Sequence, residues 1–394
     1  MIYDTIIIGA GISGLGCAYY HSKQGEAVLV LEKETHVGGL CHSAYLNQQK
    51  EFWLEMGAHT LYNSYEYVIE IIEALNLQNQ LVKRQKLPFR IYHQGYLHSL
   101  FRYLNPISFS YGMMQLPFKN KTNQSVESFY GKLFGRGNYK RVLKDCFSAV
   151  LSQNADEFPA EFLFNKKKRN KDYPRSFSLI NGISSLFDEL ITHKRFITKL
   201  NHAVIEINKN NKYWQVLTNQ GVFDAKHVII ATDVRTAGNL AFSVMPKLSE
   251  RLNEIKLSSI DSVGVMFHRK DLLHFKELAG LIGKGDSPFY SMISRDVIPD
   301  SNYRGFVFHF KKDALKPIGE HLAYICQLLE VNQSAIVRSF SKENQIPILT
   351  VEHKMRLQQI AQLLQGSSLA LTGNYFRRLA LEDCLAHSAQ LKLG

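Results

Sequence analysis

Apolar residues run along this chain in two rhythms. Asp4-Thr-Ile-Ile-Ile8 and Ala27-Val-Leu-Val-Leu31 are short unbroken apolar runs, the pattern of strands covered on both faces in a parallel sheet. Between them, Ile12 to Lys23 has helical length and stops before Gly25, so the first 35 residues predict strand, helix, strand. A second helix is predicted at about 65–75. Phe89-Arg-Ile-Tyr-His93 and Tyr96-Leu-His-Ser99 flank Gln94-Gly95 and predict a hairpin. Later strands are predicted at 203–207, 213–217, 227–232, 262–267, 289–293, 305–310 and 369–372, with a turn at 219–221 and a closing helix at about 381–391. From 100 to 175 the chain is aromatic, basic and without alternation, and reads as mostly helical. Its longest apolar run, Thr5 to Tyr20, is broken by four glycines, which excludes a membrane-spanning helix there.

The junction of the first strand and helix is Gly9-Ala10-Gly11-Ile12-Ser13-Gly14. In this GxGxxG, Gly9 permits the turn, Gly11 lets backbone approach a pyrophosphate, and Gly14 lets the helix pack on the strand. The free amides of the helix N-terminus favour the anion. Glu32 closes the second strand at the spacing where a carboxylate accepts the ribose hydroxyls, and it disfavours a 2′-phosphate. These residues specify an adenine dinucleotide, with FAD and NAD both open. No second GxGxxG occurs, so a separate nicotinamide domain is not expected. Electrons then arrive from an organic substrate.

Composition changes the picture in three places. The 394 residues carry a net charge of +12, which suits an anionic membrane surface, a polyanionic substrate or nucleic acid. With no nucleic-acid motif, nucleic acid is not an expected partner, and the run Lys166 to Lys171 reads as a solvated loop. Five dispersed cysteines without a CxxC pair, and no basic leader, predict a reduced, cytoplasmic protein. No HExxH or Cys/His cluster points to a metal, and no Ser/His/Asp signature to a hydrolase.

After Glu32 the chain continues Lys33-Glu-Thr-His-Val-Gly38-Gly39-Leu40. With this glycine pair it resembles the FAD-dependent family that contains amine oxidases, protoporphyrinogen oxidases and UDP-galactopyranose mutases. Glu55-Met-Gly57-Ala58-His59-Thr60 is similar to the family segment that runs beside the flavin. Ser125 to Gly135 resembles the helical stretch leading into its substrate domain. Leu371-Thr-Gly373-Asn374-Tyr375-Phe376-Arg377, followed by Leu381-Glu382-Asp383-Cys384-Leu385, is similar to the closing signature of protoporphyrinogen-oxidase-like proteins. Three positions depart from the pattern: Leu40 replaces an arginine, and Arg378 and Ala380 stand where glycines are common.

The resemblance implies an α/β protein with a Rossmann-like FAD-binding domain built from discontinuous segments and an inserted α+β substrate domain. The FAD-binding segments are 1–85, 176–240 and 351–394. The substrate domain takes 86–175, a hairpin and a helical part, and 241–350, a sheet. FAD contacts are implied at Gly9, Gly11, Ile12, Ser13, Gly14, Glu32, Lys33, Gly38, Gly39, Leu40, Gly57, Ala58, His59, Thr60, Val204, Ala231, Thr232, Gly373, Asn374, Leu381 and Glu382. The helix from Leu381 is implied to aim its N-terminus at the flavin N1–C2=O edge, where its dipole stabilises negative charge. His59 is expected to move a proton or hold flavin or substrate, and equally reads as a structural histidine. Tyr375 and Arg378 are expected at the substrate, though a solvated Arg378 is also open.

The implied activity is oxidation of a relatively apolar small molecule, carboxylated or not, by hydride transfer to flavin N5. A redox-neutral nucleotide-sugar mutase and a non-catalytic FAD-binding protein remain as alternatives; the ending is not the mutase one. Leu100 to Met114, apolar and flanked by Arg102, Lys119 and Lys121, reads as core of the inserted domain. It also suits peripheral contact with the inner face of a membrane.

Overall fold

The computed structural model describes residues 1–164, 167–192, 196–210, 212–312, 314 and 317–393. Lys166 of the basic run lies outside the described residues. One sheet is ordered Ile197–Lys199, Val28–Leu31, Ile2–Ile8, Gly221–Ile230, Trp214–Thr218, Val204–Lys209, with Leu369–Leu371 beside the end of Gly221–Ile230. The strands around Ile2–Ile8 are parallel, and the last two form an antiparallel meander. Ile7, Val28 and Val30 pack into one core on one face, Ile6, Ile8, Leu29 and Leu31 into another on the opposite face. That double burial is why these strands are unbroken apolar runs.

A second sheet is ordered Ile336–Pro347, Leu257–His268, Tyr303–Lys311, Phe289–Ser294, Gly280–Gly283, Phe89–His93, Tyr96–His98. Its hairpin turns through Gln94 (φ 52°) and Gly95 (φ 83°), the doubly left-handed turn that matches strand twist. Val263, Val265, Phe267, Phe306, Phe308 and Phe310 face the helix Ile318–Leu329. Met266 and Val307, on the other face, meet Ala44, Phe52, Leu54 and Met56 from the part of the chain that follows the first βαβ unit. This face of the sheet is therefore the one covered by the segment that follows the first βαβ unit.

Residues 100–151 fold into short helices packed around Phe129, Tyr130, Phe134, Tyr139 and Phe147. The expectation that Leu100 to Met114 is core holds for only half of its side chains. Leu100, Tyr103, Leu104 and Phe109 pack on that cluster. Phe101, Ile107, Tyr111 and Met114 are exposed, and so is Phe118 at 87%. The helix Pro106–Gln115 is apolar around most of its circumference and can bury only one side.

Candidate functional site

The glycine loop forms an open cradle. Gly9 has φ +102°, and the Cβ of an alanine at Gly14 would lie 1.9 Å from the Gly9 carbonyl oxygen. A Cβ at Gly11 would meet nothing within 4 Å. The helix Ile12–Lys23 begins there without a side-chain cap, so its first amides face that space. Gly38 closes over the loop, its N–H donating to the Ala10 carbonyl at 2.9 Å, and Gly39 comes so near that its Cβ would sit 3.2 Å from Gly11 Cα. Glu32 is buried at the rim. It accepts from the amides of Ala10 (2.6 Å) and Glu34 (3.0 Å), which leaves carboxylate lone pairs for ribose hydroxyls. These residues fit the pyrophosphate and ribose of a dinucleotide.

Other expected residues gather on the same rim. Ala231 and Thr232 follow the strand beside Ile2–Ile8; the Ala231 amide donates to Ile8 O at 2.8 Å. The segment entering Val204 is tied to Glu32, whose carbonyl accepts from the His202 amide at 2.8 Å. Gly57 presses on the glycine-pair loop, since a Cβ there would fall 2.0 Å from Leu40 O. Ala58, His59, Thr60 and Asn374 are half-buried, whereas Lys33 is exposed. Ser13 is buried, its carbonyl accepting from Ser388 of the closing helix at 2.8 Å.

His59 sits at the inner end of this segment. Its Nδ1 is 3.2 Å from the Gly57 carbonyl, and the Arg84 guanidinium donates to the His59 carbonyl at 2.7 Å. Burial, reinforced by Arg84, pushes the imidazole down to about 3, so it is neutral at physiological pH. Four further residues join it: Glu55, which opens the same motif, and three that belong to no sequence motif. Buried Glu55 accepts from Ile183 N and Ser43 Oγ, each at 2.7 Å, and burial pushes its carboxyl up to about 7. Lys342 reaches from the second sheet to the Gly39 carbonyl at 2.6 Å. Ser262 and His309, also on that sheet, are bonded to each other at 2.9 Å.

The C-terminal signature lands differently from the expectation. Tyr375 is fully buried and belongs to the core under the first sheet with Ile230 and Val234; packed there, its ring cannot face a substrate. Glu382 accepts from the amides of Glu66 (2.7 Å), Tyr67 (3.3 Å) and Val68 (3.2 Å), capping the helix Glu66–Ala74. Its carboxylate is thus occupied by those amides. Arg378 lies 3.7 Å from Asp383 and over the Phe162 ring. Lys167, from the run expected to be a solvated loop, also binds Asp383, at 3.0 Å. Leu381 begins the helix Leu381–Gln390, which no side chain caps. Gly373 precedes it with its Cα against the Tyr375 ring.

A family model described as flavin-containing amine oxidoreductase matches residues 12–302. The pseudooxynicotine dehydrogenase of a Pseudomonas species is 23% identical over 287 residues, which cover 64% of this chain and 56% of that protein; the match thus spans little more than half of that relative's length. A UDP-galactopyranose mutase of Mycoplasma pneumoniae is 22% identical over 326 residues, covering 82% of this chain and 70% of the mutase. A solved structure from Exiguobacterium sp. 255-15, provisionally named a protoporphyrinogen oxidase, superposes with a TM-score of 0.79 at 16% identity, covering 98% of this chain and 97% of that one. At that identity the likeness speaks for the fold.

Proposed function

This chain belongs to the flavin-containing amine oxidoreductase family, and on that premise we propose that it is an FAD-dependent oxidase or dehydrogenase acting on a relatively apolar, carboxylated small molecule. The observation that carries the reading is His59, a neutral imidazole on the segment that joins the phosphate cradle to the second sheet. FAD, when bound, supplies a hydride acceptor at N5. The chain supplies the rest. Glu32 and the amides of the glycine loop hold the dinucleotide. Met56, Met266 and Val307 form an apolar wall that excludes water. With its Nδ1 committed to Gly57 O, His59 offers Nε2 as a hydrogen-bond acceptor that orients a substrate N–H or O–H.

The test is anaerobic. The FAD-loaded protein is mixed with a panel of amines and porphyrinogens, and loss of the oxidised flavin absorbance is expected with at least one class. A protein that purifies colourless and releases no FAD on heating refutes the cofactor assignment; one that stays yellow throughout refutes the oxidase. The match to a UDP-galactopyranose mutase over 82% of the chain favours a second reading, a redox-neutral mutase. Under it, turnover of UDP-galactopyranose requires prior dithionite reduction and consumes no oxidant.

The exposed side of Leu100 to Phe118 supports peripheral attachment to an anionic membrane surface. Between Glu73 and Glu127 there are seven Lys or Arg residues and no acidic one, and Arg102, Lys119 and Lys121 flank exposed Phe101, Ile107 and Phe118 along the chain. No helix among the described residues is long and apolar enough to cross a membrane. Co-sedimentation with phosphatidylserine vesicles, lost in Phe101→Ser/Phe118→Ser, is the expected result; equal recovery of both proteins refutes it.

A further inference from the structure

The second sheet carries a row of polar side chains on a face that is otherwise apolar. Lys342, Ser262, His309 and Ser291 occupy directly paired positions on four neighbouring strands, so their side chains project to one side. It is the side on which Met266 and Val307 meet Leu54 and Met56. Ser262, His309 and Ser291 are all buried, and so is Asn344, opposite Ile260 on the edge strand. Buried polar groups in such a place require a hydrogen-bond account.

The protons can be assigned one by one. The Asn344 amide nitrogen donates to the Met56 carbonyl at 2.9 Å and to Ser262 Oγ at 2.8 Å. A carbonyl only accepts, so the Asn344 amide cannot be turned the other way. Ser262 Oγ thus receives one proton and has one of its own to give, and His309 Nδ1 lies 2.9 Å away. Were Nδ1 the donor, the Ser262 hydroxyl would receive two protons while its own had no acceptor among the described residues. Burial also pushes the His309 imidazole down to about 4, so the ring is neutral and its single N–H is on Nε2. Among the described residues the ring's one hydrogen bond is the one at Nδ1, which leaves Nε2 to meet a ligand. His59 has the opposite arrangement, with Nδ1 giving its proton to the Gly57 carbonyl and Nε2 left as an acceptor. A charge on His309 would disfavour one on His59, so the two rings share one electrostatic environment.

We propose that Asn344 and Ser262 are positioning residues that lock the His309 proton on Nε2, and that His309 donates it to a carbonyl or carboxylate oxygen of the bound substrate. The inference rests on the oxidoreductase reading for its substrate, and on the sheet alone for the relay. One imidazole then holds an acceptor group of the substrate and the other a donor group.

The experiment is two-bond ¹⁵N–¹H correlation spectroscopy of FAD-loaded, ¹⁵N-histidine protein, with His309 assigned by its loss in His309→Gln. Sodium benzoate is the acceptor probe and benzylamine the control. The wild type is expected to show the Nε2–H tautomer, with benzoate but not benzylamine shifting the His309 signals. Ser262→Ala mixes the two tautomers and weakens benzoate binding about tenfold, the value of one hydrogen bond; Ser262→Thr, which keeps the hydroxyl, restores both. An Nδ1–H ring in the wild type overturns the relay without needing any variant. Benzoate that leaves the His309 signals in place overturns the substrate contact. Neither spectrum depends on flavin bleaching, so failure of the oxidase reading is seen separately.

Discussion

Replacing Glu55 by glutamine should change how stability depends on pH. Glu55 is 6% exposed on the strand Trp53–Glu55, with one oxygen on the Ile183 amide and the other on the Ser43 hydroxyl. Burial raises its carboxyl from 4.5 to about 7, and the two hydrogen bonds only partly oppose the shift. A raised folded value means that the native state keeps a proton the unfolded chain has released. The stability Glu55 contributes is therefore full below pH 4.5, is lost as pH rises to about 7, and is constant above that. At 1.36 kcal/mol per unit the loss is about 3 kcal/mol. Glutamine keeps an oxygen for Ile183 and has no charge to bury, so Glu55→Gln lacks the slope. Other titrating groups affect both proteins alike and cancel in the difference. Relative to wild type, the variant should gain about 3 kcal/mol between pH 4.5 and pH 8. At about 2.1 cal/mol/K per residue over 394 residues, that is about 4 °C in Tm. Thermal melts of both FAD-saturated proteins at the two pH values measure it. A Tm difference that is the same at both, within roughly a degree, would refute the buried-proton argument.

Glu32→Ala removes the acceptor for the Ala10 and Glu34 amides and for the ribose, and should weaken FAD binding roughly 10- to 100-fold by fluorescence titration. In the same assay His59→Ala should bind FAD within about twofold of wild type while turnover changes, because among the described residues its side chain is bonded only to Gly57 O; equal flavin loss in both variants contradicts the separate roles. Gly14→Ala drives a methyl to 1.9 Å from Gly9 O, so the protein should purify with little FAD and a lowered Tm. A fully yellow Gly14→Ala protein melting with the wild type would show that the helix can shift without cost.

Much of the nucleotide domain is legible because its strands are buried twice. Ile2–Ile8 and Val28–Leu31 announce themselves as apolar runs, and the glycines between them are dictated by contact distances. The strand Ile336–Pro347 has no such signal. It forms the sheet edge, with one side in water and the other on a polar row, so Arg338, Ser341, Lys342, Glu343 and Asn344 dilute any apolar pattern. Two residues of the candidate site are hidden in it. His309 was within reach: alternation in Gly305 to Phe310 puts Phe306, Phe308 and Phe310 on one face and His309 on the other. What alternation cannot say is which face meets the nucleotide motif. Tyr375 lies elsewhere than expected for a related reason, since a local signature does not reveal that a ring turns into the core, nor that the Glu382 carboxylate caps a helix more than three hundred residues away.

The strand Leu369–Leu371 completes the sheet begun by Ile2–Ile8, and Ser388 of the last helix bonds the carbonyl of Ser13 in the glycine loop. On the ribosome these partners are separated in time. At 5–20 residues per second, the chain between Leu31 and Leu369 takes roughly twenty seconds to a minute to make. Throughout that interval the glycine loop waits with one flank of its sheet unbuilt, while the second sheet is synthesised and can fold first. Cofactor loading is therefore a late event in biogenesis. A destabilised closing helix would show itself first as newly made protein that never acquires its colour, ahead of any loss in the second sheet.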